Sequence, residues 1–310
     1  MSLESGRDVR SNFPTSAELA VVTAALVGVS LWRHVVGLVT DPLSAVVESV
    51  WTSGGLAVVG LVTGGLFVAG LALFVGAYAR FRGLSVGLAA PSRRDVRLLV
   101  LAGVAPAAFV GVTAFVGSFT GVPYGSLTKT YYAASEPLAP ILTVVGLSLL
   151  VGVPSLVLIC QVLVQESFAE VVGGRRAAVL TTLATGFVMT STTGGLATVP
   201  DRGKLVGAAL FVLALGVALY ATRRTDNELL QYLAHAPALL FVALVVSSGV
   251  LGTESLAEGL FALSHVAVLG VAADTYDRSD SLVVPALAYA SLILTNSAVV
   301  LFFETGIQSW

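Results

Sequence analysis

Nine apolar runs of about twenty residues, separated by short polar connections, constrain this 310-residue chain more than any other feature. A helix rising about 1.5 Å per residue needs about 20 apolar residues to cross a hydrocarbon core of roughly 30 Å. Such runs fall near 18–40, 55–79, 98–118, 138–164, 177–199, 204–222, 229–250, 256–274 and 282–303. The connections between them hold turn formers, as in "TDPLS", "APSRRD", "VPDRGK" and "TRRTDN". Only 11% of the residues are charged, less than half the roughly 25% of a soluble domain. The expected fold class is all-α, a polytopic transmembrane helix bundle of about nine spans, multi-pass in the cell membrane with the lipid bilayer as its first partner.

The arginines orient the bundle. With the N-terminus in the cytoplasm, alternating loops put Arg7, Arg10, Arg80, Arg82, Arg93, Arg94, Arg97, Arg175, Arg176, Arg223, Arg224 and Arg278 on the cytoplasmic side. The outer side receives Lys129, Arg202 and Lys204. Positive charge concentrates on the cytoplasmic side of membrane proteins, so the N-terminus is expected inside and the C-terminus outside. Arg33 lies within the first span and is expected to snorkel outwards. The first 16 residues are polar, and the run after them is long enough to remain as an anchor rather than a cleaved signal. A net charge of −2 leaves no electrostatic footprint for nucleic acid. The single Cys160 excludes an intrachain disulfide and a cysteine-rich metal site.

The last third contains a repeat. "LGVALYATRRTDNELLQYLAHA" (215–236) aligns with "LGVAADTYDRSDSLVVPALAYA" (269–290) at a constant offset of 54. Gly216 and Gly270, Asp226 and Asp280, and the rings His235 and Tyr289 correspond. Duplication of a two-helix unit is expected. The chain then divides into a cytoplasmic tail (1–17), a three-span region (18–137), a core (138–250) and an added two-span unit (251–310) repeating 204–250.

Between 140 and 290 the order of motifs is specific. "LICQVLVQESFAE" ends a span on the cytoplasmic side, "GGRRAAVL" opens the next, and "FVMTS" and "GVALY…RRTDN…LAHA" follow. This layout resembles the CPBP family of intramembrane metalloproteases, which includes the CAAX prenyl-protein proteases and bacteriocin-processing relatives. Members carry Glu-Glu-x-x-x-Arg, Phe-x-x-x-His and His-x-x-x-Asn/Asp on successive helices. There a carboxylate activates water, histidines hold a metal that lowers the water's pKa, and Asn or Arg stabilises the oxyanion. The resemblance maps the first window onto Cys160, Gln161 and Gln165. The second falls on Phe187 and Ser191, and the third on His235 and Leu239. In the repeat copy, Tyr289 and Ile293 take the third window's place. One ligand type survives, and a lone histidine does not hold a catalytic metal, which needs about three protein ligands. The resemblance therefore implies a catalytically degenerate relative, with no cofactor; if it is active, zinc or another divalent metal is required.

Other polar residues are candidates for a rebuilt site. Glu166 and Glu170 lie four apart on one helical face, and pairing with Arg175 or Arg176 at the membrane surface is expected. His265, in "FALSH", is expected to pack or to line a pore. His34 beside Arg33 is expected to anchor at the interface, and Cys160 to be a small buried hydrophobe. His235 either binds a ligand or is satisfied by hydroxyls of the fifth span (Thr181, Thr182, Thr185, Thr190, Ser191, Thr192, Thr193). Three functions follow. The first is a degenerate binder or scaffold for hydrophobic or prenylated peptides or another membrane protein. The second is an active intramembrane endopeptidase built on His235, His265, Glu166 and Glu170. The third is a small-solute transporter using helix pairs breakable at Pro237 and Pro285.

Overall fold

The computed structural model describes residues 13–48, 53–132, 138–192, 194–225 and 227–305. Arg7, Arg10, Thr193 and Asp226 lie outside the described residues. The expected all-α membrane bundle is what forms. Among the described residues, eight helices are long and apolar enough to cross a bilayer. In chain order the elements are α1 (Pro14–Glu48), α2 (Ser53–Arg82), α3 (Val96–Thr120), a short α4 (Tyr124–Thr128), α5 (Leu138–Val172), α6 (Gly174–Met189), α7 (Arg202–Arg224), α8 (Glu228–Leu251), α9 (Leu256–Ser279) and α10 (Val283–Phe303).

The polar connections start helices as their chemistry dictates. Ser92 and Asp95 form a reciprocal capping box before α3. Asp201, Asn227 and Ser255 cap α7, α8 and α9 by accepting backbone N–H groups of the first turn.

α6 departs from the expected span 177–199. It stops at Met189 after 16 residues, about 24 Å of helix at 1.5 Å per residue. Residues 190–192 and 194–201 lie in a loop that folds back on the helix end. Ala197 N–H donates to Met189 O at 2.7 Å, and Asp201 N–H to Val188 O at 2.9 Å. Gly194 sits at φ +87°, which suits glycine. Hydropathy alone does not separate this "TSTTGG" turn from the helix before it. Lys204 Nζ donates to Thr190 O at 2.7 Å and fastens the turn to α7.

Alternation of direction nevertheless survives, with α6 counted as a pass. At one face, Arg82 pairs with Glu18, Leu282 N–H donates to Gly87 O, and the Tyr276 hydroxyl donates to Glu166. At the other, Glu304 accepts the N–H groups of Tyr124 and Gly125, and Arg202 meets His34 Nδ1 at 3.3 Å. Each link joins ends that the alternating loops assign to one side. The described arginines of the cytoplasmic set therefore share one basic face.

Packing divides the helices into centre and rim. α5 threads the centre, while α9 and α10 pack together on α3, and α9 also lies on α6. α1 packs on α2 and α7, and α8 leans mainly on α7. In lipid, close approach rather than water exclusion holds helices together. Two glycines show it on α2, since a Cβ at Gly60 or Gly64 would fall 2.4 Å or 2.3 Å from Leu147 or Val151 of α5. Gly70 likewise leaves room for the Trp32 ring of α1, whose Nε1–H donates to Phe67 O at 3.1 Å.

α5 is not a regular α-helix. Ser148–Gly152 and Val157–Gln165 are π-helical, on either side of Val153–Leu156, which contains Pro154. Proline has no N–H to give the preceding turn, and single-turn π segments concentrate at functional sites. The two stretches expected from the sequence to repeat each fold as a helical hairpin, α7–α8 and α9–α10, whose first helices begin at Arg202 and Leu256.

Candidate functional site

Cys160, Gln161 and Gln165, the residues that the sequence resemblance sets in its first window, lie in the second half of α5, and they are sealed. Cys160 and Gln161 have no exposed surface and Gln165 is 2% exposed. Gln161 Nε2 donates to the Tyr289 hydroxyl at 3.0 Å, and Gln165 Nε2 to Ala273 O at 2.8 Å. The Cys160 thiol sits against the hydroxyls of Tyr289 and Thr185. Gln161 Oε1 and Gln165 Oε1 are buried without a protein partner. A half-satisfied amide pair joins α5 to α9 and α10 here, in place of charge.

A test follows from this arrangement. Tyr289→Phe deprives Gln161 of its remaining partner and is expected to cost about 1–3 kcal/mol. Adding Gln161→Met removes the stranded amide and should restore most of that loss. Equal melting temperatures for the single and double variants would show that the contact carries no weight.

The other candidates are dispersed. Ser191 lies in the loop after α6. His235 sits half-buried on the rim helix α8, with Nδ1 at 2.7 Å from Gln231 O of its own helix. The hydroxyls expected to satisfy it turn inward along α6 instead. Thr182, Thr185 and Thr190 each donate to the carbonyl four residues back. Leu239 is 68% exposed and faces outward. Glu166 accepts the Tyr276 hydroxyl rather than pairing with Arg175 or Arg176, and Glu170 is exposed. Two ion pairs form among the described residues, Arg82–Glu18 and Arg278–Asp274, so the expected glutamate–arginine pairing at 166–176 is corrected. Tyrosine reaches Glu166 because α9 packs along the end of α5, a neighbour that sequence spacing does not reveal. Among the described residues, no three His, Cys, Asp or Glu side chains are placed to hold a metal ion.

Two large cavities lie among the described residues. The first, about 700 Å³, is a nearly wholly apolar cleft between α1, α6, α7 and α8. Phe187, the aromatic of the second window, lines it with Leu26, Ala184, Ala208, Phe211 and Phe241. Phe13, Thr15 and Ser16 line its end at the basic face, where Arg223 lies 4.7 Å over the Phe13 ring.

The second cavity, about 710 Å³, opens towards the opposite face and is far more polar. His265 lines it from α9. α2, the first π-helical turn of α5 and α10 complete the walls, and α4 and the 190–201 loop contribute their own lining residues. Non-helical backbone at such depth is tolerated where it is buried or lines a cavity. Tyr124 Oη donates to Asn296 Oδ1 at 2.7 Å, and Asn296 Nδ2 faces His265 Nε2 at 3.5 Å. Burial raises the Tyr124 hydroxyl above the ordinary phenol value, and the Glu304 carboxylate adds to the rise, so this donor keeps its proton. Asn296 and Tyr124 were not singled out from the sequence. A polar Asn inside the run "LILTNSAVV" was the available signal. Family models, curated proteins and solved structures offer no match to the chain.

Proposed function

We propose that this integral membrane protein is a non-catalytic, CPBP-like binder that holds one elongated apolar chain, such as the lipid of a prenylated or acylated peptide, in the cleft between α1, α6, α7 and α8. The observation that carries this reading is the cleft itself, about 700 Å³ with an almost purely hydrocarbon lining. Sites for small ligands run to about 300–1,000 Å³ and are mostly apolar. Phe187 belongs both to the family-like window and to the cleft wall. The degenerate character rests on the sealed amides Gln161 and Gln165, where the family places its acidic residues. A rebuilt protease needs His235, His265, Glu166 and Glu170 to converge, and they occupy the rim helix, one cavity and the basic edge.

Photo-crosslinking with a diazirine-bearing prenylated peptide tests the reading. Labelling is expected to map to α1, α6, α7 or α8, and to fall about tenfold in Ala184→Trp and Ala208→Trp, each of which fills the cleft. Labelling that ignores both substitutions sinks the reading. So does one equivalent of zinc in tag-free wild type that is lost in His235→Ala.

A further inference from the structure

We infer that the His265 cavity is a second binding site, open towards the face opposite the arginines, for a small neutral polyol. It goes beyond the apolar-chain reading and does not rest on it.

The hydrogen-bond inventory of the cavity decides the class of ligand. His265 is 2% exposed, and its Nδ1 lies 2.8 Å from Phe261 O. A carbonyl only accepts, so Nδ1 carries the ring hydrogen and Nε2 presents a lone pair. That lone pair meets only Asn296 Nδ2, at 3.5 Å, the outer limit of a hydrogen bond. Three of the lining hydroxyls have given their hydrogens to backbone carbonyls. Ser148 Oγ donates to Val144 O at 2.9 Å, Thr128 Oγ1 to Gly125 O at 3.2 Å and Thr130 Oγ1 to Thr128 O at 3.3 Å. Asn296 Oδ1 is taken by Tyr124. These groups offer acceptors to a ligand's O–H donors, while the Thr63 and Thr198 hydroxyls of the same lining can donate to its oxygens, a mixture that suits a ligand carrying several hydroxyls.

Charge decides the rest. Apart from the His265 imidazole, whose Nε2 presents a lone pair, no lining side chain among the described residues is acidic or basic. A cation would leave water for a site with no counter-charge, at a cost that neutral oxygens alone do not repay in a low-dielectric setting. A polyol brings donors without charge. The Phe261 ring, tilted 4.3 Å from the His265 ring, supplies an apolar face for the carbon skeleton. The roof is fixed from the side, because Glu304 at the end of α10 accepts the N–H groups of Tyr124 and Gly125 at 2.5 Å each.

The test uses the full chain in lipid nanodiscs, because sugar-headed detergents would compete. Erythritol, xylitol and glucose are titrated by calorimetry and saturation-transfer NMR, with ethanolammonium and sodium as charged rivals. At least one polyol is expected to bind. His265→Leu should weaken it about tenfold or more, the worth of a buried acceptor. Leu263→Ala, on the lipid-exposed side of α9, should leave binding unchanged. Thr198→Trp obstructs the cavity from its loop without touching the core, so it carries the test if His265→Leu fails to fold. The inference is overturned if no polyol binds wild type, if binding survives these cavity substitutions, or if ethanolammonium or sodium binds in preference.

Discussion

Arg82→Met is expected to destabilise the bundle by about 3–5 kcal/mol, because it strands a buried carboxylate. Arg82 Nη2 reaches both oxygens of Glu18, at 2.9 Å and 2.8 Å, and the two side chains are 12% and 2% exposed. The pair links the first turns of α1 to the last turn of α2. Removing the guanidinium leaves Glu18 without its partner between two apolar helices. Replacing both residues by methionine removes the stranded charge, and buried ion pairs are often neutral to exchange for hydrocarbon. Glu18→Met/Arg82→Met should therefore melt much closer to wild type than Arg82→Met. Thermal unfolding in one detergent, followed by the loss of monodisperse protein, reads both. Equal losses in the single and double variants would place the importance in the arginine alone.

The second large effect is expected at a glycine. A Cβ at Gly87 would fall 2.5 Å from Asp280 O and 2.6 Å from its carbonyl carbon. Backbone cannot rotate aside as a side chain can, so the 83–92 connection must lift off the α9–α10 turn. Gly87 N–H would then lose the Tyr276 hydroxyl, and Leu282 N–H would lose Gly87 O. Overpacking together with two hydrogen bonds puts the cost of Gly87→Ala at about 2–4 kcal/mol. Gly76 is the control, since nothing lies within 4 Å of its added Cβ. Gly76→Ala should be neutral or mildly stabilising, as in any open helix interior. If the two variants melt alike, the close approach at Gly87 does not matter. Because Tyr276 also donates to Glu166, a lifted loop should loosen the end of α5 as well. Faster hydrogen exchange near 166–172 would report it.

The candidate site was legible only in fragments. His265 stands out as a polar ring in an apolar run, but Asn296 beside it and Tyr124, which bonds Asn296, belong to other elements far off in the chain. No spacing argument spans a connection and several helices. His235 looked stronger because a motif surrounded it, yet α8 leans on α7 at the rim. The acceptor-rich wall depends on where each hydroxyl sends its hydrogen, which is a matter of three-dimensional neighbours.

Sequence by itself determined eight of the nine expected spans, their alternation and the basic face, because each depends on a transfer property that adds along the chain. Twenty apolar residues seek hydrocarbon whatever their neighbours are, and arginine marks the side on which a loop remains. Tertiary structure alone decided which helices became the centre. α8 and α9 have mean hydropathies of 2.0 and 1.7, yet 6% and 44% of their apolar windows are buried. Lipid tails and protein interior are equally apolar, so a membrane helix need not carry an amphipathic stripe to say which face turns inward. That choice falls to close contacts and directed hydrogen bonds, such as Gly64 against Val151 and Gln161 on Tyr289, which exist only once the helices have met.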